Sequence, residues 1–366
     1  MSLIKDIYSH AFYDRFTTHL QGVLPTFDKQ AFITQIFDAD FAQREWKARM
    51  KHTTAVLHDF LPAAFPEAVK SIKAIIGHLR KSGYGGDNLA FIFFPDYIET
   101  YGIADYEASM DAFVFVTQFI SCEFAVRPFI LKYGNRMIGE MTQWSLHESA
   151  QVRRLASEGS RPRLPWAMAI PALKKDPTPL LPLLENLKGD PSESVRRSVA
   201  NNLNDIAKDH PDVVIGIAAK WRGISKETDA VVKHGCRTLL KQGDPAILKQ
   251  YGLESEHISL SDLTVLTPEV KTGDSLEFSF VIANENKAPH TVRLEYGIYY
   301  KKAKGHLTRK VFKISEKVYQ AGETATIVRK QPFKVITTRT FHTGTHQLSI
   351  IINGEEKDAA SFELTA

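Results

Sequence analysis

Apolar residues recur at helical spacing over the first two-thirds of the chain. Phe41, Trp46, Met50, Val56 and Leu57 form one stripe, Phe113, Val116, Phe119 and Ile120 a second, and Val195, Val199, Leu203 and Ile206 a third. Breaks fall at Asp176-Pro177-Thr178-Pro179, Gly189-Asp190-Pro191 and Gly243-Asp244-Pro245, leaving segments of ordinary helix length. Gly83-Tyr84-Gly85-Gly86, followed by Asp87-Asn88, reads as another turn with a helix cap. From Ile258 the period becomes two, with alternation over residues 275–282, 291–300 and 346–352 and turn signals between them. About seven strands are expected here, the number and length of an immunoglobulin-like sandwich.

The helical part contains a repeat. Gln151-Val152-Arg153-Arg154 returns as Ser194-Val195-Arg196-Arg197, and more faintly as Val231-Val232-Lys233-His234. A period near 40 residues with paired helices is the pattern of HEAT and armadillo arrays, which stack helix pairs into a solenoid with a concave face. The predicted architecture is multidomain α plus β: an N-terminal α-helical HEAT-like-repeat solenoid over 1–252, a linker at 253–257 and a C-terminal immunoglobulin-like β-sandwich over 258–366. The arginines of the repeat have two readings: they project toward whatever the concave face holds, or they brace neighbouring repeats through acidic turn residues.

Composition narrows the classes. A 43% hydrophobic fraction in 366 residues excludes a mainly disordered chain and is enough for a large core. Two cysteines are too few for a disulfide framework or a four-cysteine zinc site. No signal segment and no apolar run of membrane-spanning length is found, so a cytoplasmic protein without a membrane partner is expected. A net charge of +4 permits nucleic-acid binding without requiring it.

Familiar catalytic motifs are missing: no phosphate-binding loop ending in Gly-Lys-Ser/Thr, no His-Glu-x-x-His, no Gly-x-Ser-x-Gly. His342 and His346 flank Gly344 with no evident third ligand, so no metal and no cofactor are expected, and a phosphate or solvent contact is read there. One stretch stands out. Between Arg153 and Trp166 the chain places four arginines (Arg153, Arg154, Arg161, Arg163), one carboxylate (Glu158), two prolines and the tryptophan. Glu158 and Arg154 are four apart, so they share a helix face, and the steps before Pro162 and Pro165 force an extended segment. Two further acids lie in apolar surroundings: Glu123, read inside a helix and able to pair with Arg127, and Asp205, on the helix opened by the second Val-Arg-Arg.

In these stretches the sequence resembles the AlkC branch of the HEAT-like-repeat alkylpurine DNA glycosylases. The resemblance rests on Glu123 with Arg127-Pro128, the run from Arg153 to Trp166, Val195-Arg196-Arg197 with Asn201 to Asp205, and the sandwich segments 296–302 and 337–346. It implies an enzyme that hydrolyses the N-glycosidic bond of cationic alkylated bases, chiefly N3-methyladenine, in double-stranded DNA. It also implies that Glu123, Glu158, Trp166 and Asp205 face the lesion, with Arg154 beside them. Arg153, Arg161, Arg163, Arg196, Arg197, Lys233 and Arg237 would then neutralise phosphates along the solenoid. Lys301, Lys302, Lys304, Arg339, His342 and His346 would do so from the sandwich. A monomer without an obligate protein partner is expected. The competing class is a HEAT-repeat scaffold that binds nucleic acid or protein without chemistry; it predicts that the acids scatter over outer helices.

Overall fold

The computed structural model describes residues 3–85, 88–334 and 340–366. Gly86 and Asp87, in the turn expected before Asn88, and Arg339, a candidate DNA contact, lie outside the described residues. The chain divides into two compact units, 1–235 and 236–366.

The first unit is helical. Its N-terminal part is organised by rings: Phe16, Phe32, Phe91, Phe93 and Phe94 are all almost completely buried, and Phe16 meets Phe32, Phe91 and Phe93 edge-on while Phe91 stacks on Phe94. The first two copies of the sequence repeat open helices, Ala150–Gly159 and Glu193–Ile206, whereas the third falls in the second half of Lys226–Gly235. The valine of each copy, Val152, Val195 and Val232, points into the stack and is buried. Glu193–Ile206 packs against both of the other two helices. The seam between the first two copies is polar as well as apolar: Ser157 and Ser198 hydroxyls meet at 2.7 Å, and the Asn202 amide donates to the Ser157 carbonyl at 2.9 Å. Gly159 closes its helix where no larger residue fits, since a Cβ there would lie 2.5 Å from Val126 Cγ2. The helix Val126–Tyr133 can therefore approach the start of the loop that follows.

The second unit begins with two short helices, Arg237–Gln242 and Pro245–Gln250. Gly243 between them has φ +74°, and a Cβ there would meet the Gly354 carbonyl oxygen at 2.4 Å. The helical turn thus rests directly on a strand hairpin. Residues 253–257 carry the chain into the strands, with Leu253 buried.

Eight strands follow among the described residues: β1 Ile258–Val265, β2 Glu269–Lys271, β3 Ser275–Asn284, β4 His290–Lys301, β5 Leu307–Tyr319, β6 Thr324–Pro332, β7 Gly344–Ile352 and β8 Glu355–Thr365. They form two sheets, β1-β3-β6 and β2-β8-β7-β4-β5, antiparallel except where β2 runs parallel to β8. β3 alternates strictly, with Leu276, Phe278, Phe280 and Ile282 inward. Opposite them lie Leu294, Ile298, Leu348 and Ile350, all fully buried. The two cysteines are free, so this apolar layer holds the sandwich without a disulfide.

Candidate functional site

The loop that leaves Gly159 is built around a strained tryptophan. The Ala167 N–H donates to the Leu164 carbonyl at 3.3 Å, so Pro165 and Trp166 are the central residues of a turn. Trp166 has φ +63°, the conformation that the second central position of a type II turn requires and that glycine or asparagine normally supplies. For an L-residue with a Cβ this costs about 1–2 kcal/mol. The indole it presents is 73% exposed. A large apolar ring on a disfavoured backbone, facing solvent, is the combination found where strain serves a site.

Arg127 holds the loop in place. It is fully buried on the helix Val126–Tyr133 and donates to three backbone carbonyls: Met168 at 2.7 Å, Arg161 at 2.8 Å and Gly159 at 2.9 Å. Both stems of the loop are thereby tied to one guanidinium. Burial, followed by the neighbouring Arg161 charge, pushes its pKa down to about 10.

A cleft of about 420 Å³ opens beside the turn. Trp46, Ile92, Ile120 and Phe124 form its apolar wall, and Glu123, Glu158, Arg154, Arg161 and Trp166 bring its charge and its indole. Glu123 lies in the turn leading into Val126–Tyr133 rather than within a helix. The pair with Arg127 that the spacing allowed is therefore not made. Instead the Glu123 Oε2 accepts from Arg154 at 2.7 Å and from the Ser121 hydroxyl at 2.9 Å. Glu158 in turn pairs with Arg161 at 2.6 Å rather than with Arg154. Glu123 Oε1 and Glu158 Oε2 accept no hydrogen bond among the described residues.

Asp205 sits behind this wall and does not line the cleft. It is 1% exposed, and it accepts from Arg161 Nε at 2.8 Å and from Lys208 at 2.9 Å. Arg161 thus bridges Glu158 and Asp205. Burial works against its charge, but the two carboxylates outweigh burial and hold the guanidinium more firmly protonated than usual.

The remaining candidates separate by environment. Arg153 makes a bidentate pair with the buried Asp190, at 2.6 and 3.1 Å, and caps the carbonyls of His147 and Glu148. Arg196 repeats that cap on the carbonyls of Asp190 and Pro191. The first arginine of each of the first two copies is thus spent on the turn before its own helix, which is the bracing alternative. Arg161 is likewise buried inside its carboxylate bridge. Arg163 is paired with Asp209, and Arg197 with Glu193 four residues before it. Lys233 is exposed and Arg237 half-buried. His346 is fully buried among Tyr300, Phe333 and Phe362 and bonds the His342 carbonyl at 2.9 Å, so a phosphate cannot reach it. His342 itself is half-buried. No metal-ligating cluster occurs among the described residues. Lys301 and Lys302, with Arg309 and Lys310, line a shallow hollow of about 280 Å³ on the sandwich, and Lys304 stands exposed on the same hairpin. Sequence reasoning did not single out Trp46, Ser121 or the role of Arg127; each acts through a fold contact that leaves no spacing signal.

A helical repeat unit followed by an immunoglobulin-like sandwich, with arginine-held acids beside an exposed indole, defines the class to which known proteins can be compared. Residues 180–210 match the HEAT repeat, and residues 259–366 match the family described as "Uncharacterised protein YhaZ, C-terminal Ig-like domain". Over 365 residues the chain is 43% identical to the protein YhaZ of Bacillus subtilis (strain 168), covering all of both chains. It is 34% identical to the alkylpurine DNA glycosylase AlkC of Pseudomonas fluorescens, solved bound to DNA containing an abasic-site analogue; the likeness covers all of both chains at a TM-score of 0.93. The chain belongs to the AlkC family of alkylpurine DNA glycosylases.

Among the described residues no helix is long and apolar enough to cross a membrane.

Proposed function

We propose that the protein is a DNA repair glycosylase that hydrolyses the N-glycosidic bond of cationic alkylated bases such as N3-methyladenine in double-stranded DNA. The observation that carries this reading is the cleft in which Glu123 and Glu158, each with one uncommitted oxygen, stand beside the Trp166 indole.

An N3-alkylated adenine already carries a positive charge. When the bond from C1′ to the base nitrogen breaks, both bonding electrons leave with the base, which departs neutral. No general acid is needed. The deoxyribose is left with oxocarbenium character, and a water must add to C1′ and lose a proton. A carboxylate close to C1′ stabilises that charge and accepts the proton, as in glycoside hydrolysis. Glu123 and Glu158 are the candidates. Arg154 and Arg161 orient their oxygens and offset their charge next to a polyanion. The exposed face of Trp166 attracts the cationic sugar or base by about 0.5–2 kcal/mol. Asp205 acts through Arg161, as its anchor. Neutral lesions should be poor substrates, because nothing here protonates a leaving base.

Binding draws on the uncommitted cations. Lys301, Lys302 and Lys304 have no ion-pair partner among the described residues and suit phosphate contacts. Arg154 contributes positive charge at the cleft itself. A scaffold without chemistry gives no reason to gather carboxylates on a surface that meets DNA.

The test is single-turnover release of N3-methyladenine from methylated duplex. Glu123→Gln and Glu158→Gln should each slow it by about 100-fold or more, with thermal melting and duplex affinity near those of the parent. Near-normal excision by both variants removes the proposed site.

A further inference from the structure

Lys47 lies on the helix Trp46–Asp59, next to Trp46 of the cleft wall, and its ammonium donates a 2.8 Å hydrogen bond to the Trp166 carbonyl oxygen. The two residues are 119 positions apart. Arg127 fixes the loop at its two stems, through the carbonyls of Gly159, Arg161 and Met168. Lys47 fixes it at the apex. The Trp166 indole makes no hydrogen bond among the described residues, so its direction depends on the backbone that carries it.

That backbone is the strained one. At φ +63° a tryptophan is in a region that favours glycine, and the peptide plane after it is held by two bonds, the one from the Ala167 N–H to the Leu164 carbonyl at 3.3 Å and the one from Lys47 to the Trp166 carbonyl at 2.8 Å. The bond from Lys47 is the shorter of the two and the one that reaches the turn from another helix. An exposed ammonium-to-carbonyl bond of this kind adds little to global stability. Its leverage is local, over a turn with competing conformations of similar free energy. Glu99, on the helix Phe93–Tyr101, is the acid whose field reaches Lys47 and Lys51 from the neighbouring helix.

We infer that Lys47 is a positioning residue of the excision site: it pins the carbonyl of the Trp166 turn and so fixes the angle at which the indole meets the damaged nucleotide. This rests on the reading that Trp166 acts at the lesion. It makes a residue far away in sequence, with no contact to the carboxylates, part of the rate.

The experiment uses the full-length protein with Lys47→Met and Lys47→Arg. Labelling with 5-fluorotryptophan gives one fluorine resonance for each of the four tryptophans, and Trp166→Phe assigns the line of interest. Lys47→Met should shift and broaden the Trp166 line while leaving those of Trp144 and Trp221 in place. It should slow single-turnover excision roughly three- to tenfold, the effect of one surface hydrogen bond. Affinity for a duplex bearing an abasic-site analogue should stay within about twofold, with an unchanged salt slope. Lys47→Arg, which can still donate to the carbonyl, should restore both line and rate. An unmoved Trp166 line in Lys47→Met overturns the inference. So does weakened affinity with a salt slope smaller by about one and a normal rate at saturation, because that is the signature of a phosphate contact. If the parent protein excises nothing, the glycosylase reading fails, and the fluorine line still decides whether Lys47 holds the turn.

Discussion

Replacing Arg127 by methionine should unfold the loop before it unfolds the protein. The side chain is fully buried and serves three carbonyls, at 2.7, 2.8 and 2.9 Å. A buried acceptor left without its partner costs about 1–3 kcal/mol, which puts the gross loss at about 3–9 kcal/mol. Part of this is recovered, because methionine fills a similar volume and the guanidinium no longer has to be buried. That burial penalty is visible in the Arg127 pKa, pushed down to about 10, and in an Nη2 that finds no acceptor. The net expectation is a loss of about 3–5 kcal/mol, the range for breaking a buried charged network. Arg127→Lys should lose less but not recover fully, since one ammonium cannot span carbonyls at both stems. The assay is urea unfolding followed by tryptophan fluorescence; Trp46, Trp144, Trp166 and Trp221 all lie in the unit 1–235, so the signal reports on that unit. Excision should fall together with stability, because both stems of the Trp166 loop are released. A destabilisation below about 1 kcal/mol in Arg127→Met would refute the claim that this guanidinium holds the loop.

Two further expectations follow from the same geometry. Burial, then the Asp96 charge, raises the Glu99 carboxyl to about 7 against the pull of Lys51 and Lys47. The folded protein therefore keeps this proton to a higher pH than the unfolded chain does; the contribution to stability is complete below the ordinary carboxylate range and is lost as pH rises through about 7. Glu99→Gln should raise the melting temperature at pH 8 and not at pH 4, and an equal gain at both would show that charge is not the cause. Arg153→Ala should cost about 2–3 kcal/mol by stranding the buried Asp190 while leaving the salt slope of DNA binding intact. Lys302→Ala should do the reverse, with a slope smaller by about one and no change in melting.

The periodicities carried most of the architecture. The switch from a helical period to a period of two marks the change from helices to β1, and the valines of the repeat are buried where the pattern places them. The site was legible in composition and less so in pairing. Glu123, Glu158 and Trp166 converge, yet neither pairing that the spacing allowed forms: Glu123 is in a turn, so no helical i,i+4 geometry connects it to Arg127, and Glu158 is taken by an arginine beyond the end of its helix. Asp205 is near but behind the wall. These outcomes depend on the loop after Gly159 folding back over its own helix, a tertiary event with no local signature. His346 failed for a related reason. In an alternating strand a histidine reads as polar and outward, whereas this one fills an aromatic core and bonds a carbonyl there.

The three copies of the repeat also bear on where the Trp166 cleft forms. At the first arginine position the fold asks for the same service in successive copies: Arg153 and Arg196 each cap the two carbonyls five and six residues earlier. That position is architecture and has no freedom to act on a ligand. The second position is not needed by the stack, and there the copies diverge. Arg197 turns back to Glu193 on its own helix, and His234 meets Asn201 of the neighbouring helix. Arg154 reaches across to Glu123 in a different segment. The proline-bearing loop after the first copy brings a tryptophan to the cleft that this pair also lines. The candidate site therefore lies where the array stops repeating, with the stack supplying Arg154 and Glu158 and the irregular loop supplying the indole. Moving the loop without the stack, or the arginine without the loop, would separate groups whose usefulness depends on their sharing one wall.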